Sequence, residues 1–289
     1  MADEELKTLM NTMFLGYKYR KLHGMLYSID ATVPSSLIKM YYSQNFERLD
    51  VNELNKNFVE RYVRNESMVE GVHDKEEIKG LEVMYDEMHK MEDNEFEMFS
   101  IIQLHRALYS KTEHPEFGGQ LRTASARLNQ CQIDTSDPDN IFMDMIALED
   151  IVNYLKVFAT QMKYTNDYSN IKEFVKECMK VKCRLLQIHP FGDGNGRTVR
   201  CFINKLFQIA GIPPVYISQN EKEEYKTAVM EAQRYRAAGE IDDDSKYDLI
   251  TGFYLYKICD SIIELDINKS VRQERKEKNF DPKKTKKKV

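Results

Sequence analysis

Cysteine is scarce in this chain, and its spacing excludes two kinds of site. Among the 289 residues there are five cysteines, and no two of them form a Cys-x-x-Cys pair. The odd number argues against a disulfide framework, and the histidines also lack the spacing of zinc ligands. The sequence therefore predicts a reducing, cytoplasmic setting.

Long apolar runs are missing as well. No stretch approaches the ~20 apolar residues of a membrane-spanning helix. The N-terminal segment MADEELKTLMNTM is acidic and has no long apolar core, so it does not resemble a secretory signal. The formal net charge is −5, which is not the field of a nucleic-acid-binding protein. We therefore expect neither membrane nor nucleic acid as a partner of the main body.

The C-terminal stretch 269–289, KSVRQERKEKNFDPKKTKKKV, is the local exception to the acidic balance. It is strongly basic and nearly free of apolar residues, which predicts a solvated, disordered tail. A nucleic-acid, anionic-membrane or nuclear-import role for this tail is the alternative.

Apolar spacing predicts helices through most of the chain. Residues 171–188 carry one apolar stripe, and Pro190 disfavours helical geometry at His189, so this helix should end there. Residues 198–210 are apolar almost all round, which predicts a buried helix. Residues 117–133 have paired glycines and no helical stripe, and they predict a short hairpin or an extended loop.

Residues 187–200, QIHPFGDGNGRTVR, join the two strongest helical patterns. A helix that begins near Gly194 directs unpaired N–H groups and the positive end of its dipole toward the preceding loop. Gly192, Gly194 and Gly196 allow the backbone to approach a ligand closely. The pattern therefore predicts an anion-binding loop.

The charged residues of this stretch suggest which anion it binds. Arg197 and Arg200 lie near a helix N-terminus, where the dipole disfavours cations, and a polyphosphate would resolve that conflict. Asp193 is then a ligand for Mg²⁺, with a helix N-cap as the alternative. Asn195 either donates an amide N–H to a phosphate oxygen or is a turn residue. His189 is a general base or a packed core histidine. The glycine spacing matches neither a Walker loop nor a dinucleotide-binding fingerprint.

Residues 189–200, HPFGDGNGRTVR, fill the pattern His-x-Phe-x-Asp/Glu-Gly-Asn-Gly-Arg-x-x-Arg at every specified position. On this match the chain resembles the Fic family, and the segments GIPPVYI and EKEEYKTAVMEA extend the resemblance over roughly residues 50–260. Family members usually transfer AMP from ATP to a hydroxyl of a target protein. The resemblance implies an all-α fold, with a Fic-type helical core and a short β-hairpin flap, that uses ATP and Mg²⁺.

The resemblance also implies a role for each residue of the loop. His189 would deprotonate a Ser, Thr or Tyr hydroxyl of a target protein or of the chain itself. Asp193 would hold Mg²⁺, Asn195 would hold the α-phosphate, and Arg197 would neutralise the β- and γ-phosphates as pyrophosphate leaves. The related Doc toxins, which phosphorylate, carry a lysine at the position of Gly196, and this difference argues against kinase activity.

Two further segments are assigned by the same resemblance. GGQLRT at 118–123 is similar to the start of the family's flap, so Gly119, Leu121, Arg122 and Thr123 are expected to bind an extended target segment by strand addition. Leu121 stands at a position that is usually aromatic. Tyr225 is assigned to the adenine pocket, where the family often has paired tyrosines.

The segment NESMVEG at 65–71 resembles the family's inhibitory motif Ser/Thr-x-x-x-Glu-Gly/Asn in its N-terminal version. Glu70 and Gly71 match, Glu66 stands where Ser or Thr is usual, and Ser67 matches a serine often found beside it. The resemblance implies that Glu70 pairs with Arg200 and so prevents Arg200 from holding the γ-phosphate.

The expected organisation is an N-terminal helical region at 1–95 with the inhibitory motif, a Fic catalytic core at 96–268, and the tail at 269–289. The expected function is an autoinhibited protein adenylyltransferase. One alternative is the reverse reaction, removal of AMP, with Glu70 orienting a water. Others are transfer from UTP, GTP or a CDP-linked donor, and a non-catalytic nucleotide-binding module. A homodimer is left open.

Overall fold

The computed structural model describes residues 51–128, 133–237 and 244–279, together with two helical residues, Ser35 and Ile38. The α-helices of these ranges are α1 (Val51–Glu70), α2 (Lys75–Lys90), α3 (Ser100–Tyr109), α4 (Ile141–Ile146), α5 (Glu149–Thr165), α6 (Ile171–Ile188), α7 (Asn195–Ile209), α8 (Lys222–Ala237) and α9 (Asp248–Asn279). Single turns of 3₁₀ helix lie at Pro115–Phe117, Pro138–Asn140, Gln219–Glu221 and Asp244–Tyr247. The predicted all-α class is confirmed.

Helix α7 forms the centre of the fold. Helices α1, α2, α3, α5 and α6 all pack against it. Its side chains are buried on nearly every face, from Asn195 to Ile209. The sequence predicted this, because an all-round apolar helix is stable only where other elements surround it. The N-terminus of α7 is therefore held in place by most of the domain.

Helices α1 and α2 are joined by a tight turn. Gly71 has φ of 73°, the left-handed conformation that glycine adopts without strain, and it ends α1 directly after Glu70. The side chain of Asp74 then caps α2 by accepting from the backbone N–H groups of Glu76 and Glu77. The turn fixes acidic side chains at the end of one helix and the beginning of the next.

Helices α2 and α3 approach each other closely at a glycine. Gly80 is buried in α2, and a Cβ atom there would lie 1.9 Å from the carbonyl oxygen of Leu108 in α3. No side chain larger than hydrogen fits at that distance. Gly80 therefore sets the spacing between the N-terminal helices and the helix that supports the anion-binding loop.

Strand structure is limited to β1 (Arg127–Leu128) and β2 (Ile133–Asp134) among the described residues. The two strands pair antiparallel, with Arg127 opposite Asp134. Residues 129–132, which would connect them, lie outside the described ranges, so the hairpin flap stays a prediction.

The C-terminal part of the chain differs in part from expectation. Helix α9 continues through Asn279, so residues 269–279 of the expected disordered tail are helical. Residues 280–289 lie outside the described ranges.

None of the described helices is both long enough and apolar enough to cross a membrane.

Candidate functional site

The predicted anion-binding loop lies between the C-terminus of α6 and the N-terminus of α7. His189 ends α6 in the left-handed conformation, with φ of 53°, and Gly194 precedes α7 with φ of 74°. The side-chain amide of Asn195 closes the loop, because it accepts from the backbone N–H of Phe191 at 3.0 Å and donates to its carbonyl at 2.8 Å. Asn195 is therefore a loop-holding residue in this state, as in its alternative assignment as a turn residue.

His105 of α3 supports the loop by hydrogen bonding to its backbone. Its Nδ1 accepts from the backbone N–H of Gly119 at 2.8 Å, so Nε2 carries the proton and donates to the carbonyl of Asp193 at 3.0 Å. The imidazole also stacks on Phe191, with 3.7 Å between ring centroids. Burial lowers the pKa of His105 to about 4. A neutral histidine of one tautomer thus joins the start of the expected flap to the anion-binding loop.

His189 lies at the mouth of the loop and is half-buried. Burial lowers the pKa of His189, the backbone of Leu186 opposes this shift, and the charge of Arg122 reinforces it. Its Nδ1 atom is buried and has no hydrogen bond of ordinary geometry to any described residue. An imidazole that is neutral at neutral pH can accept a proton, as a general base must.

The carboxylate of Asp193 is the exposed acidic group of the loop, and 77% of the Asp193 side chain is accessible. Its Oδ2 accepts from the hydroxyl of Tyr109 at 3.2 Å and from Arg197 at 3.2 Å. No group of three or more acidic, His or Cys side chains that could hold a metal occurs among the described residues. Asp193 fits the smaller demand of Mg²⁺ bound to phosphate, which takes one or two carboxylates and completes its shell with phosphate oxygens and water.

Arg197 is buried and ion-paired on both sides. Its Nη1 donates to Oε2 of Glu77 at 2.6 Å, and its Nη2 donates to Asp193. Glu77 belongs to the first turn of α2, where negative charge is favoured by the helix dipole. The guanidinium thus connects the N-terminal helices to the loop.

Arg200 is held by two carboxylates from successive turns of α1. Its Nε donates to Oε2 of Glu66 at 2.7 Å, and its Nη2 lies 2.6 Å from Oε1 of Glu70. Glu66 is fully buried, whereas 35% of the Glu70 side chain is accessible. Burial acts to lower the pKa of Arg200, but the charges of Glu66 and Glu70 outweigh it and raise the pKa well above its usual range.

The pKa shifts of the two acids differ in direction. Burial raises the pKa of Glu66, and the charge of Arg200 opposes that shift without cancelling it. For Glu70 burial is the largest contribution and acts in the same upward direction, but the charge of Arg200, its hydrogen bonding and the charge of Arg197 together outweigh burial and lower the pKa. Glu70 is therefore ionised at neutral pH, and it is the partner of Arg200 that can reach solvent or a competing anion.

Gly196 makes room for the Glu70 carboxylate. A Cβ atom at position 196 would lie 2.6 Å from Oε1 of Glu70 and 3.1 Å from Nη1 of Arg200. The carboxylate of Glu70 therefore occupies the space over the first turn of α7, where the sequence predicts that a phosphate group binds. By contrast, a Cβ atom on Gly192 would meet no heavy atom within 4 Å.

Some assigned residues have other roles in this structure. The hydroxyl of Ser67 donates to the carbonyl of Arg64 within α1. Tyr225 of α8 is buried, and its hydroxyl accepts from the ammonium of the buried Lys182 at 2.7 Å. Its ring centroid lies 5.8 Å from the guanidinium carbon of Arg200. The structure thus places Tyr225 behind Arg200, and its assignment to an adenine pocket stays a prediction.

The flap residues contact the loop along its outer side. Leu121 forms an isolated antiparallel bridge with Phe191, and the backbone N–H of Arg122 donates to the carbonyl of Pro190 at 2.9 Å. The buried Arg122 side chain donates to the carbonyl of His189 at 2.6 Å. Thr123 is exposed. Arg122 is therefore an anchor of this segment, whereas Thr123 is exposed to solvent.

Comparison with known proteins identifies this core. The model of the Fic/DOC family matches residues 95–207, which include the loop, His105 and both arginines. Residues 95–207 are a Fic/DOC family domain.

Curated relatives are similar to somewhat less than half of the chain. Protein adenylyltransferase fic-1 of Caenorhabditis elegans is 28% identical over 135 residues, which cover 46% of this chain and 23% of that protein. Protein adenylyltransferase Fic of Drosophila willistoni is 30% identical over 128 residues, covering 43% and 22%. The chain thus spans less than a quarter of the length of these relatives.

Solved structures share the fold of the Fic/DOC domain and its surroundings. A Fic domain containing signaling protein from Bacteroides thetaiotaomicron superimposes with a TM-score of 0.61 at 17% identity, covering 81% of this chain and 97% of that chain. Fic-1 of C. elegans, residues 134–508, gives a TM-score of 0.58 at 16% identity, covering 84% and 73%.

Three residues of the site were missed by sequence reasoning. Glu66 and Glu77 pair with the two arginines of the Fic/DOC domain, and His105 supports its loop. Glu66 precedes Glu70 by four residues, a spacing that places both on one helix face and that could have revealed it. His105 lies 88 residues before Asp193, and no local pattern connects the two.

Proposed function

We propose that this chain is a protein adenylyltransferase that transfers AMP from ATP to a hydroxyl of a target protein and is inhibited in its resting state by Glu70. The proposal rests on one arrangement: a half-buried histidine of lowered pKa lies beside a glycine-rich helix N-terminus that carries two buried arginines. The similarity of the core to curated adenylyltransferases supports the choice of AMP over a phosphoryl group.

The reaction needs a base, an anion site and a leaving-group site. His189 takes the proton of the target hydroxyl as its oxygen forms a bond to the α-phosphorus of ATP. The bond from the α-phosphorus to the bridging oxygen of the β-phosphate breaks, and that oxygen leaves with pyrophosphate. Backbone N–H groups at the N-terminus of α7 and the side chain of Arg197 stabilise the charge that develops on the phosphate oxygens.

Asp193 is the residue that would hold Mg²⁺, and the ion would neutralise part of the phosphate charge. Tyr109 and Arg197 orient the Asp193 carboxylate. Asn195 keeps Phe191 and the loop backbone in position, and one N–H of its amide is left to reach the α-phosphate.

The target segment would pair with the flap. The bridge between Leu121 and Phe191 anchors the beginning of this segment next to the loop, and the paired strands β1 and β2 follow it in the chain. A target that adds a strand there would hold its hydroxyl near the imidazole. Thr123 is the exposed flap residue through which selectivity for the target could be altered.

Glu70 supports the proposal of an inhibited resting state. Its carboxylate lies against Gly196 and Arg200, so an ATP phosphate must displace it to reach the first turn of α7. Because the nitrogen of Arg200 that Glu70 leaves is buried and needs another partner, the exchange is favoured by an anion of good geometry.

Labelling with ATP tests the function and the inhibition together. The chain is incubated with Mg²⁺, cell lysate and ATP labelled at either the α- or the γ-phosphate. We expect Glu70→Gly to increase transfer of the α-label to protein, and His189→Ala in the same background to abolish it. Transfer of the γ-label instead would show phosphorylation, and equal labelling by the unmodified chain and Glu70→Gly would refute the inhibition. Unlabelled UTP, GTP and CTP as competitors determine the choice of nucleotide.

A further inference from the structure

Glu66 differs from Glu70 in how it holds Arg200. The two side chains lie one turn apart on α1 and bind separate nitrogens of one guanidinium, Nε for Glu66 and Nη2 for Glu70. Glu66 has no solvent-accessible surface, whereas a third of Glu70 is accessible. An incoming anion can therefore replace Glu70, but it cannot reach Glu66.

The fixed pair has a consequence for the charge of the site. Once Glu70 has left, Glu66 still pairs with Arg200, because a buried ion is costly to leave without its partner. Glu66 then occupies the Nε of Arg200, and the carboxylate of Glu66 balances the positive charge of the guanidinium. A phosphate that replaces Glu70 receives hydrogen bonds from the remaining nitrogens, but little net Coulomb attraction.

Glu66 also fixes where those hydrogen bonds point. The guanidinium is a rigid fork, so a partner at Nε determines the direction of both Nη groups. The ring of Tyr225 limits movement on one side, with 5.8 Å between its centroid and the guanidinium carbon. Arg200 is thus held in one orientation by a residue that no ligand can contact.

From this geometry we propose that Glu66 is a positioning residue for Arg200 and a determinant of donor choice. It makes the site bind nucleoside diphosphates almost as tightly as nucleoside triphosphates. The inference rests on the proposed function and on the role that the family resemblance implies for Arg200, which is to hold the γ-phosphate once Glu70 has left. The donor class that follows includes nucleoside diphosphates and their esters as well as ATP. With such a donor the target oxygen bonds to the α-phosphorus, the bond from the α-phosphorus to the bridging oxygen breaks, and inorganic phosphate or its monoester leaves with that oxygen.

Calorimetric binding of ATP and ADP with Mg²⁺ tests the proposal in the Glu70→Gly background. In this parent we expect the dissociation constants of the two nucleotides to agree within about threefold. Adding Glu66→Gln removes one charge without changing shape and should raise the preference for ATP by about tenfold, the size expected for one partly screened charge. Glu60→Gln, at an exposed position of the same helix, is the matched control and should leave the ratio unchanged.

A second variant keeps the test decisive if Glu66→Gln does not fold. Glu66→Asp retains the charge, so the ratio should stay within about threefold of the parent, and a tenfold rise would contradict charge balance. An unchanged ratio in a folded Glu66→Gln protein would overturn the inference but not the proposed function. Failure of all folded variants to bind either nucleotide would overturn both.

Discussion

The guanidinium of Arg197 donates from Nη1 to Oε2 of Glu77 over 2.6 Å, and this pair joins α2 to the anion-binding loop. Arg197 is 3% exposed, so the pair is largely shielded from solvent on the arginine side. A polyphosphate that uses Arg197 must compete with Glu77, just as it must compete with Glu70 at Arg200. The N-terminal helices therefore place a carboxylate on each arginine of the loop.

Removal of the charge at Glu77 should strengthen nucleotide binding. We expect Glu77→Gln to lower the dissociation constant of ATP with Mg²⁺ by about three- to tenfold, since a partly exposed ion pair contributes on the order of 1 kcal/mol. Calorimetry in the Glu70→Gly background measures this. Glu76→Gln, at the exposed neighbouring position, is the control. Equal gains in both variants would indicate a general effect of net charge instead.

The rate of transfer should depend on pH through His189. Burial lowers the pKa of its imidazole, so the neutral form that accepts a proton persists to a lower pH than for an ordinary histidine. We expect the rising limb of the initial rate of Glu70→Gly to lie below pH ~6.5, the ordinary histidine value. Rates of α-label transfer measured from pH 5 to 8 show this. A rising limb centred above pH 7 would exclude His189 as the base in this environment.

His105 should make the stability of the fold depend on pH. Its pKa is about 4 in the folded protein, below the ordinary value, so the unfolded chain binds a proton first as the pH falls. The stabilisation is complete above pH ~6.5 and is lost between there and pH ~4, amounting to on the order of 3 kcal/mol. Urea unfolding at a series of pH values measures it.

The matched variant for that experiment is His105→Phe, which keeps an aromatic ring to stack on Phe191 but cannot titrate. It leaves the N–H of Gly119 and the carbonyl of Asp193 without their partner, and it should cost about 1–3 kcal/mol at pH 7. Its loss of stability toward pH 4 should be smaller than that of the unmodified chain. The same loss in both proteins would mean that other groups cause it.

The contact at Gly80 should tolerate no added methyl group. Gly80→Ala places a Cβ atom 1.9 Å from the carbonyl oxygen of Leu108, so α2 must move away from α3. We expect a loss of about 1–3 kcal/mol in the free energy of unfolding, despite the better helix propensity of alanine. Urea denaturation checks this, with Lys79→Ala, an exposed position on the same helix, as the control. A stabilised Gly80→Ala protein would show that the helices repack without cost.

Sequence reasoning succeeded where a local rule determines the structure. Pro190 predicted the end of α6 at His189, and Gly194 predicted the beginning of α7, because each restricts or frees the backbone directly. The buried character of α7 followed from its apolar residues on all faces. The interpretation of the loop as a site for anions thus required only neighbouring residues.

Reasoning from the sequence was weaker where a contact joins distant segments. Glu66 was seen as a departure from a motif, yet in the structure it is the buried partner of Arg200, 134 residues away. Ser67 matched the motif, yet it points its hydroxyl at the backbone of its own helix. The packing of α1 against α7 determines that Glu66, and not the adjacent Ser67, contacts Arg200.

Glu66 and Glu70 are both carried by α1, which ends at Gly71, so any displacement of this helix moves both carboxylates together. A side-chain rotation can withdraw Glu70 alone and leave Arg200 anchored and ready for a ligand. A shift of the whole helix would withdraw both acids at once and leave an unbalanced cation in the interior. Rotation of the Glu70 side chain would therefore relieve the proposed inhibition. Displacement of the whole N-terminal helix should instead disable Arg200, the arginine that it exposes.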